Sequence, residues 1–77
     1  MKNIKIKKTV LNNVAWYLFY GLDSNPDLVT QGLNVLIDLI EKEDDEEFKK
    51  LLQKIYDLAL NWELDSALEV VDEFLAL

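Results

Sequence analysis

Six carboxylates crowd into the seven residues from Glu41 to Glu47: Glu41, Glu43, Asp44, Asp45, Glu46 and Glu47. They are the densest set of groups in the chain that could do chemistry. Oxygen ligands at this density suit a hard cation, but a helix-loop-helix calcium site needs ligands at alternating positions, a central glycine and a distal glutamate. This stretch is too short and holds no glycine. The same acids fit the first turn of a helix, where unpaired backbone N–H groups and the helix dipole favour negative charge. They also fit recognition, because a carboxylate array resembles a row of phosphates and can occupy the basic groove of a nuclease or DNA-binding protein. A second acidic set, Glu63, Asp65, Glu69, Asp72 and Glu73, extends that surface if the third and fourth helices lie side by side.

The remaining inventory argues against catalysis. The chain has no histidine and no cysteine, and all eight of its cationic side chains are lysines. The commonest general base, the commonest transition-metal ligand, the thiol nucleophile and the bidentate guanidinium are therefore all missing. No nucleophile–base pair or phosphate-cradling glycine loop stands in for them. The expectation is a protein that is not an enzyme and takes no cofactor and no metal.

Charge bears on partners. The net charge is −7, yet the first 22 residues carry Lys2, Lys5, Lys7 and Lys8 with no acid, which leaves four lysines against fifteen carboxylates, or −11, in the rest. A body of that sign repels nucleic-acid phosphate, so no direct nucleic-acid binding is expected. Lysines ahead of an apolar stretch resemble the order of a secretory signal, but Asn12 and Asn13 break the run and no small-residue cleavage site follows. The run also falls far short of the roughly 20 residues a membrane span needs. No membrane association is expected, and a cytoplasmic location is the default.

The elements that must carry these groups read as helices. Residues 2–8 alternate lysine with Ile4 and Ile6, a strand-like pattern without a second strand to pair with, and are read as a flexible basic arm. A first helix near 9–20 starts at Thr9 as N-cap and stops at Gly21. A second, near 26–42, opens with Asn25 as cap, Pro26 at the first helical position and Asp27 on the dipole. It has two apolar seams, one with Val29, Leu33, Leu36, Ile37 and Ile40, the other with Leu28, Gly32, Val35 and Leu39, and is read as the central element. Gly32 allows a close crossing. A third helix, near 45–62, is capped by Asp44 with Glu47 reaching back, and its apolar face runs from Phe48 to Trp62. A fourth, near 66–76, begins with Ser66 and Glu69 as a capping box. The expected fold is all-α: a compact antiparallel four-helix bundle, with 1–8 as arm and 9–77 as one helical domain. An echo between Gly32–Ile40 and Ala67–Leu75 at an offset of 35 residues approaches the tetratricopeptide period of about 34. The first helices of the two pairs do not align without gaps, so the echo is read as ordinary helix patterning.

The first helix is the odd one. Between Val14 and Tyr20 it runs Val-Ala-Trp-Tyr-Leu-Phe-Tyr, apolar in every direction around the helix. Trp16, Phe19 and Tyr20 point away from a Val10, Val14 and Tyr17 seam that faces the second helix. Three such rings represent on the order of 600 Å², or roughly 15 kcal/mol gross on burial. That exceeds the roughly 4 to 12 kcal/mol of total stability a chain of this length has. Either this helix sits inside the bundle or its rings meet another protein, most simply a second copy. Tyr56, at the border of the third helix's apolar face, and Leu60, on its polar side, join the expected protein interface. The functional expectation is a small acidic module that binds a macromolecular protein target stoichiometrically, as an inhibitor, an antitoxin or immunity-type regulator or a phage anti-defence protein does, and that forms a homodimer. The alternatives are an assembly subunit that docks its aromatic helix into a larger complex, and a DNA mimic that uses the acidic faces of the last two helices.

Overall fold

Four helices in antiparallel succession account for nearly all of the chain: α1 (Ile4–Asp23), α2 (Pro26–Lys42), α3 (Glu46–Leu60) and α4 (Leu64–Leu75). The computed structural model describes residues 3–23 and 25–77, and no strand occurs among them. Each helix packs on two others: α1 on α2 and α4, and α3 on α2 and α4. The four therefore close into a ring, with α1 and α3 at opposite corners. The all-α four-helix bundle read from the sequence is the fold. The reading of α2 as the central element is not, because α4 closes back onto α1 and gives every helix two neighbours.

The core is a stripe from each helix at spacings of three and four. Leu11, Val14 and Leu18 come from α1, Val29 and Leu36 from α2, Phe48, Leu52, Ile55 and Ala59 from α3, and Leu64, Ala67, Val71 and Phe74 from α4, all buried. Apolar side chains at this period line one face of a helix, and burying that face stabilises helices too short to persist alone. The Phe48 and Phe74 rings meet with centroids 5.5 Å apart, which places the start of α3 beside the end of α4.

Helix α2 starts and ends where its punctuation directs. Asn25 Oδ1 accepts the Asp27 N–H at 3.1 Å, Pro26 takes the first position, and Lys42 lies in the last turn on the favourable side of the dipole. Gly32 also has the expected role: a Cβ there would come within 3.0 Å of Tyr17 Cβ, so the glycine lets α1 and α2 approach closely.

The other boundaries depart from the sequence reading, each for a reason in the packing. Residues 4–8, expected in a loose arm, form the first turns of α1; Met1 and Lys2 lie outside the described residues. The helical stripe is Lys7, Leu11, Val14, Leu18 and Gly21, and it overrides the local lysine–isoleucine alternation because Lys7 is buried on the core face. Thr9 is therefore mid-helix, and its hydroxyl donates back to the Lys5 carbonyl at 3.1 Å instead of capping. Gly21 lies inside α1. It is needed there because a Cβ would collide with Val29 Cγ2 and lie 2.8 Å from the Val29 backbone nitrogen.

At α3 the cap is Asp45, not Asp44: its Oδ1 accepts the N–H groups of Glu47 at 3.0 Å and Phe48 at 3.3 Å. The α3–α4 turn falls two residues earlier than read, at 61–63 instead of 63–65. Trp62, expected on the apolar face of α3, sits beyond the helix with φ 61°. Its N–H donates to the Ala59 carbonyl at 3.1 Å and the Glu63 N–H donates to the Leu58 carbonyl at 2.8 Å. That pair of bonds is a Schellman closure with a tryptophan where glycine is usual. It lets α4 begin at Leu64, so Ser66 lies inside the helix and Glu63 holds the cap position without a side-chain bond.

Candidate functional site

The stripe that buries α1 uses one side of the helix, and Trp16, Phe19 and Tyr20 fall outside it. With only two neighbours, α1 cannot bury its full circumference. Trp16 is 50% exposed, Phe19 55% and Tyr20 44%. Of the two alternatives the sequence left open, burial inside the bundle is not what the fold provides. Val10 and Tyr17, read with Val14 as the seam toward α2, are half-buried, and Leu11 and Leu18 replace them at the centre of the stripe.

The exposed rings form one connected group. Trp16 and Tyr17 meet edge to face with centroids 5.2 Å apart, Trp16 and Tyr20 lie 5.2 Å apart at 46°, and Phe19 and Tyr20 meet edge to face at 5.3 Å. Aromatic pairs in these arrangements are worth about 0.5 to 1.5 kcal/mol beyond the area they bury. Toward the N-terminus the same face changes character: Thr9, Asn12 and Asn13 continue the surface as small polar side chains, and Leu68 and Asp72 of α4 flank it to complete an open depression. This is an apolar patch with a polar rim, lacking the enclosure of a small-molecule pocket.

Tyr56 and Leu60 do not join it. Both are on α3, at the opposite corner of the ring from α1. Tyr56 is half-buried against the core, while Leu60 is 53% exposed. The five aromatic and aliphatic residues read as one interface thus belong to two separate surfaces.

The acidic run is divided as well. Glu43 and Asp45 are half-buried and face inward, where Glu43 Oε1 lies 3.9 Å and Asp45 Oδ2 3.8 Å from Lys7 Nζ, which also stands 5.3 Å above the Phe48 ring. Glu41, Asp44, Glu46 and Glu47 remain exposed, as do Glu63, Asp65, Glu69, Asp72 and Glu73. Among the described residues no group of three acidic side chains is placed to hold a metal ion. Nor is any of their helices long and apolar enough to cross a membrane.

Lys7 is the residue that sequence reasoning passed over. Its spacing of four from Leu11 and seven from Val14 was the available signal, masked by the assumption that a lysine-rich start is solvated. Comparison with protein-family models, with curated proteins and with solved structures finds no match to this chain.

Proposed function

We propose that this protein works by stoichiometric binding to a protein partner, and that the aromatic face of α1 is the contact surface. The observation that carries the reading is the connected group of Trp16, Tyr17, Phe19 and Tyr20, three of them about half exposed on a 77-residue domain. Tryptophan and tyrosine dominate the energetics of protein interfaces because they combine large apolar area, few rotatable bonds and a polar tip. Leaving such rings in water forgoes burial free energy that a marginal domain can use, and a covering partner recovers it. Binding without chemistry also agrees with the absence of histidine, cysteine and arginine. Size and charge match those of a small inhibitor or immunity-type regulator, and no covalent step enters the proposed mode of action.

Phosphate mimicry by the acidic faces of α3 and α4 is the weaker reading. Two of the six carboxylates in the Glu41–Glu47 run are engaged by Lys7, and one of them caps α3. What remains is an exposed acidic surface of the kind that keeps small proteins soluble.

Photo-cross-linking in the native host tests the reading. A photoreactive side chain at position 19 is expected to yield a protein adduct of defined mass, and the same group at Gln53, exposed on α3 at the opposite corner of the ring, none. Absence of any adduct from position 19 overturns the assignment of α1.

A further inference from the structure

We infer that the occupant of the α1 face is a second copy of this chain, with the two α1 helices antiparallel across a two-fold axis near Val14. The inference rests on the reading of α1 as the contact surface, and two independent features of that surface point to self-pairing.

The first is charge. In α2, α3 and α4 an acid stands in the first turn, as the helix dipole favours. Helix α1 inverts the rule: it has no acid in its first turn and no base in its last, with Lys5 at its start and Asp23 at its end, both exposed. In a single molecule each of these charges faces the wrong end of its own helix dipole. An antiparallel copy places Lys5 of each chain beside Asp23 of the other, and beside the negative end of the other's dipole. Their separation of 18 positions spans about 27 Å of helix.

The second is shape. The same symmetry sets residue 12 opposite 16 and residue 9 opposite 19, so the bulky half of the face, Trp16 and Phe19, meets the small half, Asn12 and Thr9, of its mate. A two-fold interface must be self-complementary, and this surface is graded along its length in the way such pairing needs.

Area and charge allow the assembly. A stable dimer buries about 800 Å² on each partner, roughly a sixth of the 5034 Å² surface. The half-exposed rings supply roughly 300 Å² of that. The rest comes from the length of α1 and its α4 flank, along a molecule 34 Å in its longest dimension. Residues 1–22 hold no acid, so two chains of net charge −7 can meet along α1 without opposing carboxylates at the centre, with Asp72 of α4 at the flank.

Sedimentation equilibrium from about 1 to 100 μM tests the inference. The wild-type chain is expected to shift from 9.0 kDa to twice that mass within the range. Lys5→Asp and Asp23→Lys are each expected to weaken association about tenfold, and the double variant to restore it. Each single change also corrects a dipole mismatch, so the isolated chain should keep or gain thermal stability, which separates lost pairing from lost folding. A wild type that stays monomeric throughout, single variants without effect, or a double variant that fails to recover overturns the antiparallel pair. A monomeric chain that still cross-links from position 19 to a different protein overturns the second copy alone. A monomeric chain without any adduct overturns the reading of α1 with it.

Discussion

Lys7 and Asp45 meet across the base of the bundle: Nζ lies 3.8 Å from Oδ2, while Oδ1 of the same carboxylate caps α3 through the N–H groups of Glu47 and Phe48. Glu43 adds a second carboxylate at 3.9 Å, and its Oε1 accepts the Asp45 N–H at 3.4 Å. One lysine from the first turn of α1 thereby ties the α2–α3 connection to the opposite corner of the ring. Its stem fills a core position and its ammonium lies above the Phe48 ring. The aromatic face of α1 is held in place partly by this clasp.

Replacing Lys7 by alanine should lower stability by about 1 to 3 kcal/mol, since it removes a buried stem, a cation–π contact and charge partners for two half-buried carboxylates. Lys7→Met, which keeps the stem, should recover part of the loss. Urea denaturation of both variants measures this. An alanine variant as stable as wild type would show the clasp to be ornamental.

The two adjacent aspartates should behave differently. Asp45→Ala removes the cap and a partner of Lys7, at a cost of about 1 to 2 kcal/mol. Asp44, exposed and without a cap bond, should change stability by less than about 0.5 kcal/mol when replaced. Thermal unfolding of the pair checks the order, and equal effects would contradict the placement of the cap.

Gly21 and Gly32 also separate. Alanine gains about 1 kcal/mol of helix propensity at either position. At Gly21 the new methyl group meets backbone of α2, which cannot step aside locally, so Gly21→Ala should destabilise by about 1 to 3 kcal/mol net. At Gly32 the obstacle is the Tyr17 Cβ at 3.0 Å, and a shift of a few tenths of an ångström relieves it. Gly32→Ala should stay within about 1 kcal/mol of wild type. A larger loss at Gly32 than at Gly21 in chemical denaturation would invert the expected packing.

Trp62 holds a left-handed conformation, which costs a non-glycine residue about 1 to 2 kcal/mol. It is 60% exposed and contributes little core area in return. Trp62→Gly should therefore stabilise the monomeric fold by about 0.5 to 1 kcal/mol once the added freedom of the unfolded chain is counted. Trp62→Ala, which keeps the strain, should show no such gain. Calorimetry at low concentration distinguishes the two.

How far the fold could be read depended on whether the deciding partner was near in sequence. Asn25, Pro26 and Asp27 are adjacent and act on their own helix, so α2 was legible to the residue. The apolar faces of α3 and α4 were legible because spacings of three and four record which side of a helix is buried. Lys7 was not, since its burial depends on Glu43 and Asp45 nearly forty residues away. The Schellman closure at Trp62 was hidden for a related reason: no glycine marks it, and only the need to bury Leu64 fixes where the turn falls. Of the candidate surface, the composition of the α1 rings was readable, but their separation from Tyr56 and Leu60 required the ring order of the helices.

Whether the α1 rings are covered in the functional state can be read from one indole. In a Trp62→Phe background Trp16 is the sole tryptophan, and acrylamide quenching of its fluorescence reports its contact with water. Quenching is expected to fall, and emission to shift to shorter wavelength, as concentration rises through the association range. An indole that stays fully quenchable at every concentration, and in the presence of host extract, would contradict the claim that this face exists to be covered.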